Sequence, residues 1–86
     1  MYYLYILKCA DKTLYTGITI DLDKRIEEHN TSKKGAKYTR PRRPVNLVYY
    51  KKFRNRSTAT KAENKIKALS RIEKLKLIRT SPQPSP

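Results

Sequence analysis

Residues 2 to 8 read YYLYILK, and no polar side chain interrupts the run before Lys8. A strand with tyrosine, leucine and isoleucine at every position has two apolar faces, so it belongs in the middle of a sheet that is covered on both sides. In a chain of 86 residues, one such strand leaves room for a single small sheet and the helices that cover it. The segment CADKT then supplies turn chemistry through Asp11 and Lys12. LYTGIT from Leu14 is rich enough in β-branched and aromatic residues to form a second strand. A loop symmetric about Ala10 would place Tyr5 opposite Tyr15. A slip of two residues would still leave them diagonal neighbours on one sheet face.

After Gly17 the apolar spacing changes from two to four. Leu22 and Ile26 lie one turn apart, and Asp21 and Asp23 sit where carboxylates favour a helix start, so a helix is expected over 21–29. At 100° per residue His29 falls within its buried arc and Arg25 on the edge of that arc, while Glu27 and Glu28 look outward. Asn30 to Pro44 (NTSKKGAKYTRPRRP) holds Gly35, two prolines and six lysines or arginines, which marks a basic loop. NLVYYKKF is expected to be a third strand with Leu47, Tyr49, Lys51 and Phe53 on one side. Ala59, Ala62, Ile66 and Leu69 then make the apolar stripe of a helix starting at Ser57 or Thr58. That start leaves Glu63 inside the helix rather than in a capping box with Thr60. Ser70-x-x-Glu73 is a capping box for a further short helix carrying Leu75 and Ile78. The predicted order is β-β-α-β-α-α: an α+β domain over 1–79 with a small three-stranded antiparallel sheet flanked by helices. The Pro/Ser-rich residues 80–86 are expected to be a disordered tail.

Charge narrows the partners. The chain carries 21 lysines and arginines against 7 acidic residues, a net +14, which points to a polyanion and to nucleic acid first. No helix pairs a basic face with a broad Trp/Phe/Leu face, so a membrane surface is the weaker fit, and the apolar N-terminal run is too short to span one. A cytoplasmic location is expected. One cysteine, Cys9, forms no internal bridge, and one histidine plus one cysteine are too few for a Cys/His zinc cluster.

Five polar side chains are placed to border the sheet and helices: Tyr5, Tyr15, Arg25, His29 and Glu63. The set suits hydrolysis of a phosphodiester, which needs a proton acceptor for water, a cation for the phosphate charge and usually a metal held by carboxylate. A lone carboxylate is consistent with one Mg²⁺, which keeps most of its waters and takes further oxygens from substrate.

YLY, then YTG ten residues on, then DLDKRIEEH and a downstream helix glutamate together resemble the GIY-YIG nuclease superfamily. Within it they resemble the small stand-alone YhbQ-like (UPF0213-type) branch, over about residues 2 to 78. Tyr3-Leu4-Tyr5 stands at the GIY position and Tyr15-Thr16-Gly17 at YIG. Arg25 stands at the helix arginine, with His29 one turn later and Glu63 at the metal-binding glutamate. The resemblance implies a DNA endonuclease in repair or nucleic-acid processing, dependent on one divalent ion, Mg²⁺ or Mn²⁺, held by Glu63. It implies Tyr15 as general base or relay and Arg25 on the scissile phosphate. Tyr5 would orient water or hydrogen-bond Tyr15, and His29 would assist proton transfer. A free tyrosine ionises near pH 10, so only about one in a thousand is phenolate at pH 7. Tyr3 departs from the first glycine of GIY, and Ile18 stands where many repair-nuclease relatives carry lysine.

Gly17 either ends a strand or lets a phosphate approach the backbone. In the basic loop Lys33, Lys34, Lys37, Arg40, Arg42 and Arg43 are expected to contact phosphates, and Tyr38 to offer a stacking surface. A non-catalytic nucleic-acid-binding domain that keeps the fold is the alternative. A third option is a nuclease whose protein partner supplies substrate specificity.

Overall fold

The computed structural model describes residues 1–31 and 37–80. Their elements are β1 (Tyr2–Lys8), β2 (Leu14–Thr19), α1 (Leu22–Thr31), a 3-10 turn (Arg40–Arg42), β3 (Asn46–Phe53), α2 (Arg56–Lys67) and α3 (Arg71–Thr80). The expected order β-β-α-β-α-α therefore holds. The sheet runs β2-β1-β3 and is antiparallel throughout, with the all-apolar β1 in the centre. Each face of β1 has its own core. Leu4 and Ile6 pack with Tyr49 and with Ile66, Leu77 and Ile78 from α2 and α3. On the other face Tyr5 and Leu7 pack with Cys9, Val45, and Leu22 and Ile26 from α1.

Two details of strand pairing differ from expectation. The hairpin turns about Asp11 rather than Ala10. The Cys9 and Lys12 amides donate to the Thr13 and Cys9 carbonyls, each at 2.9 Å, and Lys12 adopts φ 68°, in the left-handed region. The Asp11 carboxylate accepts from the Thr13 amide at 3.1 Å and its hydroxyl at 2.6 Å, which fixes this turn. Tyr5 therefore faces Gly17, and Tyr15 faces Leu7. The tyrosines are diagonal neighbours, with ring centroids 6.4 Å apart on one face. In β3 the pairing jumps from Ile6↔Tyr49 to Leu7↔Leu47, leaving Val48 as the extra residue of a bulge. The bulge inverts the alternation, so Leu47 faces α1 while Tyr49 and Phe53 face α2 and α3.

The helix starts follow their caps. The Asp21 carboxylate accepts from the Lys24 amide at 3.1 Å, and the Asn55 side chain accepts from the Thr58 amide at 2.9 Å. Because Asn55 caps α2, the helix begins at Arg56, one residue before the expected start, and Thr60 lies mid-helix. The Ser70–Glu73 capping box forms with bonds of 3.0 and 3.2 Å. Thr80, expected in the tail, closes α3 instead, its hydroxyl donating to the Lys76 carbonyl at 2.9 Å. The rest of that tail, residues 81–86, lies outside the described residues.

The basic loop is tied down at its far end by Asn30, whose amide donates to the Val45 carbonyl at 3.1 Å and accepts from the Val45 amide at 2.7 Å. Val45 is buried, so Asn30→Ala leaves two backbone groups unpaired. A stability loss of about 2 kcal/mol, read as a fall in Tm on the order of 10 °C, is the expected outcome of thermal unfolding.

Candidate active site

The site is built on strands β1 and β2 and on α1, which carries Arg25 in its first half and His29 in its last turn. Tyr5, only 1% exposed, projects from β1 across its neighbour Gly17. A Cβ at position 17 would lie 2.5 Å from the Tyr5 hydroxyl and 2.7 Å from the carbon that bears it. The missing side chain thus makes room for the phenol of Tyr5, and Gly17 lies within β2 rather than at its end, so of the two expected roles the strand end does not hold.

That phenol reaches α1. Its hydroxyl lies 2.9 Å from Nε2 of His29 and also bonds the Arg25 guanidinium. His29 is 0% exposed, and its Nδ1 lies 2.9 Å from Oγ1 of Thr39. Proton counting orients the chain. Arginine only donates, so Tyr5 accepts from Arg25; the assignment that leaves no buried phenol hydrogen without an acceptor has Tyr5 donating to Nε2 and the Nδ1 proton of neutral His29 donating to Thr39. Burial pushes the Tyr5 pKa up to about 12, although Arg25 pulls the other way. Burial also pulls the His29 pKa down to about 4, and the Arg25 charge adds to the effect. At neutral pH the pair is a phenol and a neutral imidazole. His29 itself is fully buried and is hydrogen-bonded toward the site through Tyr5.

Arg25 is where this buried chain meets solvent. It pairs with Glu28 at 3.1 Å and lines an open concavity of about 290 Å³ with Thr19, Ile20, Asp21, Lys24 and Glu28. Burial works against the guanidinium charge, but Glu28 and Tyr5 outweigh it, so Arg25 holds its proton more firmly than a free arginine. Glu28, expected to look outward, is half-buried because it turns back to this partner.

Tyr15 packs edge-on against His29 with centroids 5.2 Å apart, and stacks with Tyr38 at 5.9 Å and 27°. The Arg42 guanidinium sits 4.1 Å from the Tyr38 centroid. It pairs with Asp11 at 3.0 Å and donates to the Tyr38 carbonyl at 2.7 Å. Tyr38 remains 39% exposed, but its ring packs on Tyr15 and Arg42 within the protein, in place of the free stacking surface expected. Arg42 binds the β1–β2 turn, and Arg43 donates to the Glu28 and His29 carbonyls at the end of α1, so both expected phosphate contacts have internal partners. Lys37 and Arg40 are exposed. Lys33 and Lys34 lie outside the described residues.

Glu63 approaches from α2. Its side chain is 16% exposed, and its carboxylate pairs with Lys67 across one helical turn at 3.4 Å and raises the Tyr5 pKa through its charge. Among the described residues no three His, Cys, Asp or Glu side chains group as a metal cage. The donor set fits one ion bound by a single carboxylate, with water and phosphate oxygens completing its shell. Ile18 packs on the α2-side core and points away from the Tyr5 face.

Sequence reasoning thus places Tyr5, Tyr15, Arg25 and His29 together. It misses Thr39, an isolated hydroxyl in a loop without periodicity. The available signal is chemical: a buried imidazole needs a partner on each nitrogen, and Tyr5 supplies only one.

A model of the GIY-YIG catalytic domain matches residues 1–76. A UPF0213 protein of Syntrophus aciditrophicus is 53% identical over 81 residues, covering 94% of this chain and 93% of the relative. A UPF0213 protein of Oceanobacillus iheyensis is 54% identical over 77 residues, covering 90% and 88%. The solution NMR structure of a UPF0213 protein from Bacillus halodurans superposes with a TM-score of 0.63 at 45% identity, covering 98% of this chain and 89% of that one. With the match spanning both tyrosine strands, the arginine helix and the glutamate helix, the chain belongs to the GIY-YIG family, a nuclease superfamily, and within it to the UPF0213 proteins.

Proposed function

We propose that the protein is a divalent-metal-dependent nuclease that hydrolyses phosphodiesters in nucleic acid, DNA first, in repair or nucleic-acid processing. The observation that carries this reading is Arg25, fixed from behind by the buried Tyr5–His29–Thr39 chain and opening in front on a concavity it shares with Lys24. A guanidinium held in this way meets a phosphate without first having to be ordered, which is the condition for stabilising charge that develops in the transition state.

In the proposed reaction a water oxygen bonds to phosphorus as the bond to the leaving sugar oxygen breaks, and that oxygen takes a proton from solvent. Arg25 binds a non-bridging oxygen of the scissile phosphate. Tyr15, half-buried beside His29, relays the water proton to solvent. Tyr5 and His29 are positioning residues: neutral and buried, they hold Arg25 rather than exchange protons with substrate. Glu63 would hold the single Mg²⁺ or Mn²⁺, which when bound supplies positive charge to the phosphate and acidifies water.

The test is a panel of labelled duplex, branched and single-stranded DNA and RNA, incubated with Mg²⁺, Mn²⁺ or a chelator. Cleavage that needs the metal is expected. Arg25→Lys keeps the charge but loses the two-pronged geometry, and should lower the rate about 10²-fold. Salt-sensitive binding without cleavage under either metal would overturn the enzyme reading and leave a basic binding domain.

A further inference from the structure

Resting on the nuclease reading, we propose that Tyr3, Tyr50 and Lys52 form a subsite for an unpaired nucleotide flanking the phosphate held at Arg25. Tyr3 is half-buried and packs in neither core cluster. Its ring meets Tyr50, at 6.4 Å and 55°, and the Lys52 ammonium, 5.8 Å from its centroid. A large aromatic that contributes to no core is available for another surface. The strand register places Lys52, Tyr3 and Thr19 in one row across β3, β1 and β2. Directly paired residues share a sheet face, and Tyr3, two residues from Tyr5 on β1, lies on the Tyr5 face.

Thr19 lines the Arg25 concavity, so the row leads out of the candidate active site onto the sheet. Adjacent strands lie about 4.8 Å apart, which puts Lys52 on the order of 10 Å from the edge of the concavity. At that distance an exposed ammonium meets a neighbouring phosphate of the same strand, while Tyr3, midway, meets the base between. Charge complementarity agrees, since Lys52 is exposed on a chain of net +14. The nucleotide has to be unpaired, because a ring can stack on a base only when that base has left its own stack.

The test measures binding apart from cleavage. Single-stranded DNA with 2-aminopurine at the positions flanking the scissile phosphate is titrated with the intact protein in chelator, beside the same sequence as a full duplex. Tyr3→Ala is expected to weaken single-strand binding about 5-fold to 100-fold and to abolish the quenching of 2-aminopurine. Duplex affinity should stay within about twofold, and Tyr3→Phe should bind like the parent. Lys52→Gln should reduce the slope of log Kd against log salt by about 0.7 for the single strand. Lys52 is exposed, so this arm stands even if Tyr3→Ala fails to fold. Unchanged quenching by folded Tyr3→Ala, or an unchanged slope for Lys52→Gln, overturns the subsite while metal-dependent cleavage by the parent still stands. A parent that binds no nucleic acid overturns both.

Discussion

Glu63→Ala is expected to abolish metal-dependent cleavage, by about 10³-fold or more, while binding measured in chelator stays within about twofold of the parent. The size follows from what a metal supplies to phosphoryl chemistry: several kcal/mol of charge stabilisation, at 1.36 kcal/mol per factor of ten. The separation of cleavage from binding follows from the site. Glu63 is the carboxylate on α2 whose charge reaches Tyr5, and its ion-pair partner is Lys67, which is 53% exposed and belongs to no core cluster. Removing one negative charge from a basic surface does not weaken attraction to a polyanion. The same ion pair gives a second readout. An ion bound at Glu63 has to displace the Lys67 ammonium, so Lys67→Gln should lower the metal concentration for half-maximal cleavage. A pair across one helical turn whose lysine is exposed is worth only a few tenths of a kcal/mol, so the shift is about twofold. Glu63→Ala that cleaves at the parent rate would remove Glu63 from the metal site. A shift to higher metal for Lys67→Gln would show that the lysine assists the site instead of competing for it.

What the sequence makes legible here is periodicity. Uninterrupted apolar character fixes β1 as the central strand, and four-residue spacing finds α1 and α2 with His29 turned inward. Capping chemistry is legible too, as at Ser70 and Glu73. Registers are harder, because they depend on one or two local geometries. Lys12 in the left-handed region moves the hairpin by two residues, and the extra Val48 inverts Leu47. Partner choice is hardest, since composition does not say whether a charge meets solvent or its own fold. Arg42 and Arg43 read as phosphate ligands from their setting in KYTRPRRP, yet one bonds Asp11 and the other the last carbonyls of α1. Glu28 shows the same limit with the opposite sign. Gly17 stands out in the sequence by its place after Tyr15, but its role depends on Tyr5, twelve residues earlier and paired with it only through the hairpin register.

His29→Ala should cost about 3 to 5 kcal/mol, enough to leave an 86-residue domain largely unfolded at 37 °C. The substitution opens a cavity at a position that is 0% exposed and removes one partner of the Tyr5 hydroxyl and one of the Thr39 hydroxyl, both in buried residues. Titration gives a milder version of the same test. With its pKa held near 4 in the folded chain against 6.5 when unfolded, His29 binds a proton more readily in the unfolded state. Its contribution to stability is therefore complete above pH 6.5, declines as pH falls, and is gone below pH 4, a loss of about 3 kcal/mol. Asp11 and Glu73 have carboxyl groups already held below their usual range by hydrogen bonds to Thr13 and Ser70, so they titrate mainly beneath this window. Urea midpoints should hold from pH 7.5 to about 6.5 and then fall steadily down to pH 4.5, and cleavage should fall with them as Arg25 loses its support. His29→Gln keeps hydrogen-bonding capacity toward Tyr5 and Thr39 without a titrating group, so a folded variant should show a nearly flat midpoint over the same range. A parent midpoint unchanged down to pH 4.5 would mean that the imidazole is not locked in its neutral form, and Arg25 would then have no fixed scaffold behind it.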